Sequence, residues 1–285
     1  MYKQGGFQHT IGGSIQYSGI GLHSGNNVTI KCLPVEANTG IVFKRIDLPG
    51  KPEIKAAPWR VISTKRCTCI GLGEENAPAV FTIEHMMAAF WALGIDNIMV
   101  EINGEETPVG DGSALPFYKI LQEIGLKKLK KQRRLLVIDE PIWVRRGQMY
   151  IVALPYDGFK VSYTLDYNHP VIGTQFFEFD GDNDSFKDEI AGARTFGFKR
   201  EVEALHKRGL ALGGSLDNAV LIDDNSTVNE LRYSDEFVRH KILDIIGDMA
   251  LNGFIEGHIV AIRSGHASHV ELARRINDRL KTKGD

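Results

Sequence analysis

The sequence predicts an α+β fold made of two related halves, and three observations carry that expectation. Apolar and polar residues alternate in several short runs, the period of half-buried strands. Two longer apolar stretches recur at helical spacing, and each is followed by an alternating strand and a polar loop containing Gly, Asp111-Gly in one half and Ser264-Gly-His266 in the other. This parallel hints at an ancient duplication. At 285 residues the chain is long enough for two domains, each with its own core, and its 43% hydrophobic and 25% charged content is that of a globular protein.

From Ile11 to Asp47 the alternation, as in Val28-Thr-Ile-Lys-Cys-Leu33, predicts a small antiparallel sheet. Thr82 to Gly94 predicts a helix, with Thr82 as cap and Gly94 as stop, and Ile98, Val100 and Ile102 then alternate as a strand. Ser113 is expected to cap a short helix ending near Ile124. The basic run Lys127-Lys-Leu-Lys-Lys-Gln-Arg-Arg134 reads as a solvated linker, with phosphate binding as the alternative, and it separates an N-terminal domain, 1–130, from a C-terminal one, 131–285. Strands are expected at Leu135 to Val144, Met149 to Leu154 and Lys160 to Asp166, a helix from about Glu236 to Leu251, and a strand from Ile255 to Arg263. Between them, residues 193–223 read as a helical hairpin with Gly turns or as the lining of a ligand channel.

The N-terminus lacks the basic start and apolar run of a signal peptide, and no stretch approaches the roughly 18 apolar residues of a membrane span, so a cytoplasmic protein without an integral membrane segment is expected. Cys32, Cys67 and Cys69 are an odd set, which argues for free thiols; Cys67-x-Cys69 without a second pair is a poor metal motif. A net charge of −2 disfavours nucleic acid as partner.

His240, Asp244 and Asp248 fall at i, i+4 and i+8, one polar stripe on an otherwise apolar helix. That stripe needs buried partners, either hydrogen bonds or a divalent metal. Glu84 and His85, in the first turn of the earlier helix, offer an imidazole to complete a two-His, one-Asp site and a free carboxylate beside it, although Glu in a first turn is also favoured by the helix dipole alone. Three protein ligands leave a fourth corner for water, whose pKa zinc lowers to about 7. His266, expected on a loop at a strand end, and His23 are further candidates; His9, His169, His206, His258 and His269 have no persuasive neighbours.

Taken together, the stretches Gly-Ile-Gly-Leu-His-Ser-Gly, Thr-Ile-Glu-His, Gly-Ile-Asp-Asn-Ile, Asp-Gly-Ser-Ala, Ala-Arg-Thr-Phe-Gly-Phe, Gly-Gly-Ser, Asp-Glu-Phe-Val-Arg-His-Lys-Ile-Leu-Asp-Ile-Ile-Gly-Asp and Ser-Gly-His, in this order from about residue 10 to 270, resemble the UDP-3-O-acyl-N-acetylglucosamine deacetylases of lipid A synthesis. The resemblance implies two α+β domains, each a helix layer on a sheet, with one zinc ion in the cleft between them, held by His85, His240 and Asp244. It implies Glu84 as general base, His266 oriented by Asp248 as the acid, Thr195 as an oxyanion donor and Lys241 near the polar head of an acylated UDP-sugar. Phe196 would pack on the sugar, with His23 at the substrate site; Val202, Ala211, Gly214, Ser215, Ala219 and Leu221 would line a passage for the acyl chain. A monomer is expected, and the chain ends at Lys-Thr-Lys-Gly-Asp285 with no fused second enzyme. The same ligands accept ferrous iron. Another zinc amidohydrolase, such as a peptidase, is the competing enzyme reading, weakened by the absence of His-Glu-x-x-His. A binding module with structural zinc is disfavoured because such sites usually close with four protein ligands.

Overall fold

The computed structural model describes residues 2–73 and 77–283, so the readings made at Met1 and at Gly284-Asp285 lie outside the described residues. The chain runs through β1 (Tyr2–Ile11), β2 (Ile15–Ile20), β3 (Asn27–Leu33), β4 (Ile41–Arg45) and β5 (Glu53–Lys55) to three short strands, β6 (Val61–Ser63), β7 (Cys69–Gly71) and β8 (Ala79–Val80). Helix α1 (Glu84–Ala92), β9 (Ile98–Ile102) and α2 (Leu115–Ile124) complete the first half. The second half opens with β10 (Leu126–Val137), β11 (Ile142–Arg146), β12 (Met149–Leu154), β13 (Phe159–Asp166) and β14 (Thr174–Asp180). After them come α3 (Phe186–Glu189), β15 (Phe196–Phe198), α4 (Lys199–His206), β16 (Val220–Ile222), α5 (Glu236–Met249), β17 (Ile255–Ile262) and α6 (His266–Lys283).

The two halves share one topology. The first sheet has the order β2-β3-β9-β4-β5, and the second contains β11-β12-β17-β13-β14. Corresponding pairs even agree in sense: β3/β9 and β12/β17 are antiparallel, β4/β9 and β13/β17 parallel. In each half a buried helix, α1 or α5, precedes the central strand and another, α2 or α6, follows it. The first sheet is therefore mixed, not antiparallel as expected, because β9 lies between β3 and β4 after the crossover through α1.

Helices α1 and α5 pack on each other, and nearly all of their residues are buried, the polar ones included. Gly247 sets their separation: a Cβ there would meet the backbone oxygen of Glu84 at 2.1 Å. The two helices thus touch backbone to backbone where their polar residues face each other.

The basic run, the strand after it and the 193–223 segment also differ from the sequence reading. The basic run is not a linker but most of β10, paired antiparallel with β1 and, through Leu136 and Val137, parallel with the start of β17. Its Lys and Arg side chains project from a ribbon whose backbone bonds are satisfied by β1, so charge does not oppose the strand. The strand expected over 135–144 is broken at Asp139-Glu-Pro141, where Pro cannot donate to a ladder. Residues 193–223 form a β15-α4-β16 unit with parallel strands, not a helical hairpin.

Gly247→Ala is expected to force the two helices apart, costing about 1–3 kcal/mol and weakening metal binding at the facing residues; thermal melting and metal titration of the variant check both.

Candidate metal centre and active site

The first turn of α1 is set by an unusual backbone. Thr82 has φ +58°, rare for a β-branched residue, and its hydroxyl donates to Glu106 Oε1 at 3.0 Å instead of capping the helix as expected. The cap position belongs to Ile83, with no side-chain hydrogen bond. Glu106 also accepts from the backbone N–H groups of His23 and Ser24 and from the Ser24 hydroxyl, so this buried carboxylate ties the 20–25 loop to the turn that launches Glu84 and His85.

Across the helix crossing, α5 presents His240, Asp244 and Asp248 on one buried stripe. The ligating atoms of His85, His240 and Asp244 lie within 4.8 Å of one another. Asp244 Oδ1 is 3.5 Å from His240 Nε2 and 3.9 Å from His85 Nε2, and it is buried without a hydrogen-bond donor. A buried carboxylate oxygen facing two imidazole nitrogens and no proton donor suits a cation. The Nδ1–H of His240 donates to Ala193 O at 3.0 Å, which leaves Nε2 as the free lone pair. Burial pushes the His85 imidazole down to about 3, with His240 beside it adding to the effect, and burial lowers His240 as well. Asp244 is held well below the usual carboxylate range: burial opposes this, but Lys241, donating to Oδ2 at 2.8 Å, and the imidazoles outweigh it. All three residues are thus in the protonation state that ligates metal.

Glu84 and His266 flank this group with opposite shifts. Burial raises the Glu84 carboxyl to about 7; His266 acts against the rise, while Asp244 and Asp248 add to it. His266 is raised to about 9 although burial lowers it, because it faces the carboxylates of Asp248 and Asp244. Its Nδ1 donates to Asp248 Oδ2 at 2.8 Å, and its Nε2 lies 4.0 Å from Asp244 Oδ2. His266 sits at the first residue of α6, not in a loop.

Sequence reasoning missed the residues that hold this pair. Thr68 donates its backbone N–H to Glu84 Oε2 at 3.0 Å and its hydroxyl to Asp248 Oδ1. His269 Nδ1 donates to Asp248 Oδ2 at 2.9 Å, and its Nε2 accepts from Ser264. Thr68 hid between two cysteines that draw the eye but are buried free thiols, pushed up by desolvation. Asp248, His266 and His269 also have metal-like proximity, yet both Nδ1 atoms already donate to Asp248, so no lone pair there lacks a partner as Asp244 Oδ1 does.

A cavity of about 630 Å³ opens onto this group. Glu84, His85, Thr195, His240, Lys241, Asp244 and His266 form its polar end; Asp248 lies behind the wall. His23, Phe196, Val202, Ala211, Gly214, Ser215, Ala219 and Leu221 all line it, joined by Leu22, Arg66, Tyr167, Phe198, Glu201 and Leu205, which the sequence did not single out. The Phe196 ring stands edge-on to His240 and Phe237, with Lys241 Nζ 5.5 Å from its centroid. A buried Arg194–Glu236 pair locks this segment to the start of α5, and Thr195 N–H donates to Gly112 O at 2.8 Å.

Comparison with known proteins identifies the family. The family model for UDP-3-O-acyl N-acetylglycosamine deacetylase matches residues 8–278. A UDP-3-O-acyl-N-acetylglucosamine deacetylase of Geotalea uraniireducens is 48% identical over 98% of this chain and 90% of its own length. Those of Citrifermentans bemidjiense and Leptospira biflexa are each 44% identical, over 95% and 94% of this chain and 88% of their own lengths. The chain belongs to the UDP-3-O-acyl-N-acetylglucosamine deacetylase family.

Proposed function

We propose that this chain is a zinc-dependent hydrolase that removes the N-acetyl group from UDP-3-O-acyl-N-acetylglucosamine, releasing acetate and UDP-3-O-acyl-glucosamine, the committed step of lipid A biosynthesis in Gram-negative bacteria. The observation that carries the reading is Asp244 Oδ1, buried without a donor and facing the Nε2 atoms of two neutral histidines at the end of a ligand-sized cavity. The relatives' shared name supports the substrate. His85 and Glu84 come from the proposed domain 1–130, and His240, Asp244 and His266 from 131–285, so the site needs both.

His85, His240 and Asp244 would hold one zinc ion, or the ferrous iron that these ligands also accept, and the ion would supply Lewis acidity toward the acetamide carbonyl and water. Glu84 takes a proton from the attacking water as its oxygen bonds the carbonyl carbon. The Thr195 hydroxyl donates to the oxygen on which charge develops. His266, cationic because Asp248 faces it, gives its proton to the amide nitrogen as the C–N bond breaks, and acetate leaves. Lys241 pairs with Asp244 and faces the Phe196 ring, where both meet the sugar end of the substrate. Val202, Ala211, Gly214, Ser215, Ala219 and Leu221 line the passage for the acyl chain, with His23 at the same wall. Three buried free thiols fit a reducing cytoplasm, and no helix among the described residues is long and apolar enough to cross a membrane. The enzyme acts as a monomer on a small-molecule substrate.

Glu84→Ala and His266→Ala are each expected to lose at least about 100-fold in turnover while keeping bound zinc; near wild-type rates with metal retained would refute the roles. The rate is expected to be bell-shaped in pH. It rises as Glu84 ionises near 7 and falls as His266 loses its proton near 9; a cation neutralising Asp244 moves both limbs downward, since Asp244 raises both values. A profile flat from about pH 5 to 9 contradicts the pair. Chelation is expected to abolish turnover without unfolding the chain, zinc to restore it. Thr68→Val leaves Asp248 one donor short, at a cost of about 1–3 kcal/mol in thermal unfolding, whereas Thr68→Ser restores the bond and the stability.

A further inference from the structure

No residue of the basic run lines the cavity, and the fold holds the run in a paired strand. Lys127, Lys128, Lys130, Lys131 and Arg134 are all exposed on β10, and among the described residues none of the five pairs with a carboxylate. Their neighbour Arg133 differs, being committed to Asp96 at 2.7 Å. The ladder pairs Lys128 with His9, Gln132 with Phe7, Arg134 with Gln4 and Leu136 with Tyr2, and paired residues share a side, so Lys128 and Arg134 stand with Phe7 and Tyr2 on one side of the β1–β10 ribbon; Lys130 lies in the register shift between Lys128 and Gln132 and is exposed there. Two aromatic rings from β1 stand on that side: Lys128 Nζ lies 3.8 Å from the Phe7 centroid and the Arg134 guanidinium 4.0 Å from that of Tyr2. Leu126, on the same side, is 42% exposed, Phe7 40% and Tyr2 46%.

We propose that this face of the ribbon docks on the surface of an anionic lipid bilayer, its cations meeting phosphate headgroups while Leu126, Phe7 and Tyr2 enter the interface. The combination decides the partner. The chain as a whole carries −2, so attraction to a polyanion has to come from a local concentration of cations such as this ribbon. Nucleic acid would use the cations, but each ring already has a cation over one face, and Leu126 gives a phosphate backbone nothing. Interleaved cations and apolar side chains on one exposed face are what an anionic interface rewards twice, by charge and by partition. Docking does not depend on the reaction assigned above.

Sedimentation of the full chain with vesicles tests it. Binding is expected to phosphatidylcholine vesicles containing about one-third phosphatidylglycerol and not to phosphatidylcholine alone, and to be lost as salt rises from about 0.05 to about 0.5 M. The Lys128→Gln, Lys130→Gln, Arg134→Gln triple variant is expected to bind about 100-fold more weakly, and Phe7→Ser several-fold more weakly, each with unchanged turnover on dissolved substrate, which shows that it folds. Equal pelleting with both vesicle types, wild-type binding by the triple variant, or tighter binding of a single-stranded oligonucleotide than of anionic vesicles would overturn the proposal.

Discussion

The site exists because two helices touch backbone to backbone. With no side chain at Gly247, the start of α1 lies directly on α5, and the polar residues of each helix have nowhere to turn but toward the other. His85, His240, Asp244, Glu84 and His266 are all set by that crossing, by the turn that leads into it, or by the start of α6. Burial then does the electrostatic work. The same low-dielectric pocket keeps two imidazoles neutral, lifts one carboxyl toward neutrality, and leaves a third imidazole charged only because a carboxylate faces it.

Duplication explains how such a site arises. Two sheets of the same order each bring a buried helix to the shared interface, and the two copies have diverged in what they present: Glu84 and His85 from the end of one helix, a stripe of His240, Asp244 and Asp248 along the other. Neither helix alone holds three ligands. The β15-α4-β16 unit lies between β14 and α5, where the first half carries the small β6–β8 sheet between β5 and α1, and it adds a wall of the cavity.

Much of this was legible in the residues. The helices around His85 and His240, the strands at Ile98 and Ile255 and the Gly94 stop are strongly periodic, and such periodicity survives folding. β1 was not legible: Lys3-Gln-Gly-Gly6 interrupts any alternation, and without it β10 has no visible partner to distinguish a strand from a linker. α6 was missed because its buried Val270, Ala273 and Ile276 are spaced among Glu, Arg, Asn and Asp. Thr68 and His269 act through contacts nearly two hundred and about twenty residues away in sequence, with no local pattern to betray them. The residues that the resemblance implies for the substrate line the cavity, and Arg66, Tyr167 and Glu201, which it did not suggest, line it too.

Glu106 joins matters that look separate. One carboxylate gathers the loop carrying His23, which forms part of the cavity wall, and the strained turn from which α1 departs. A substitution that reshapes this rim therefore also tugs on the turn that launches Glu84 and His85, so the shape of the cavity mouth and the placement of its polar end are mechanically yoked.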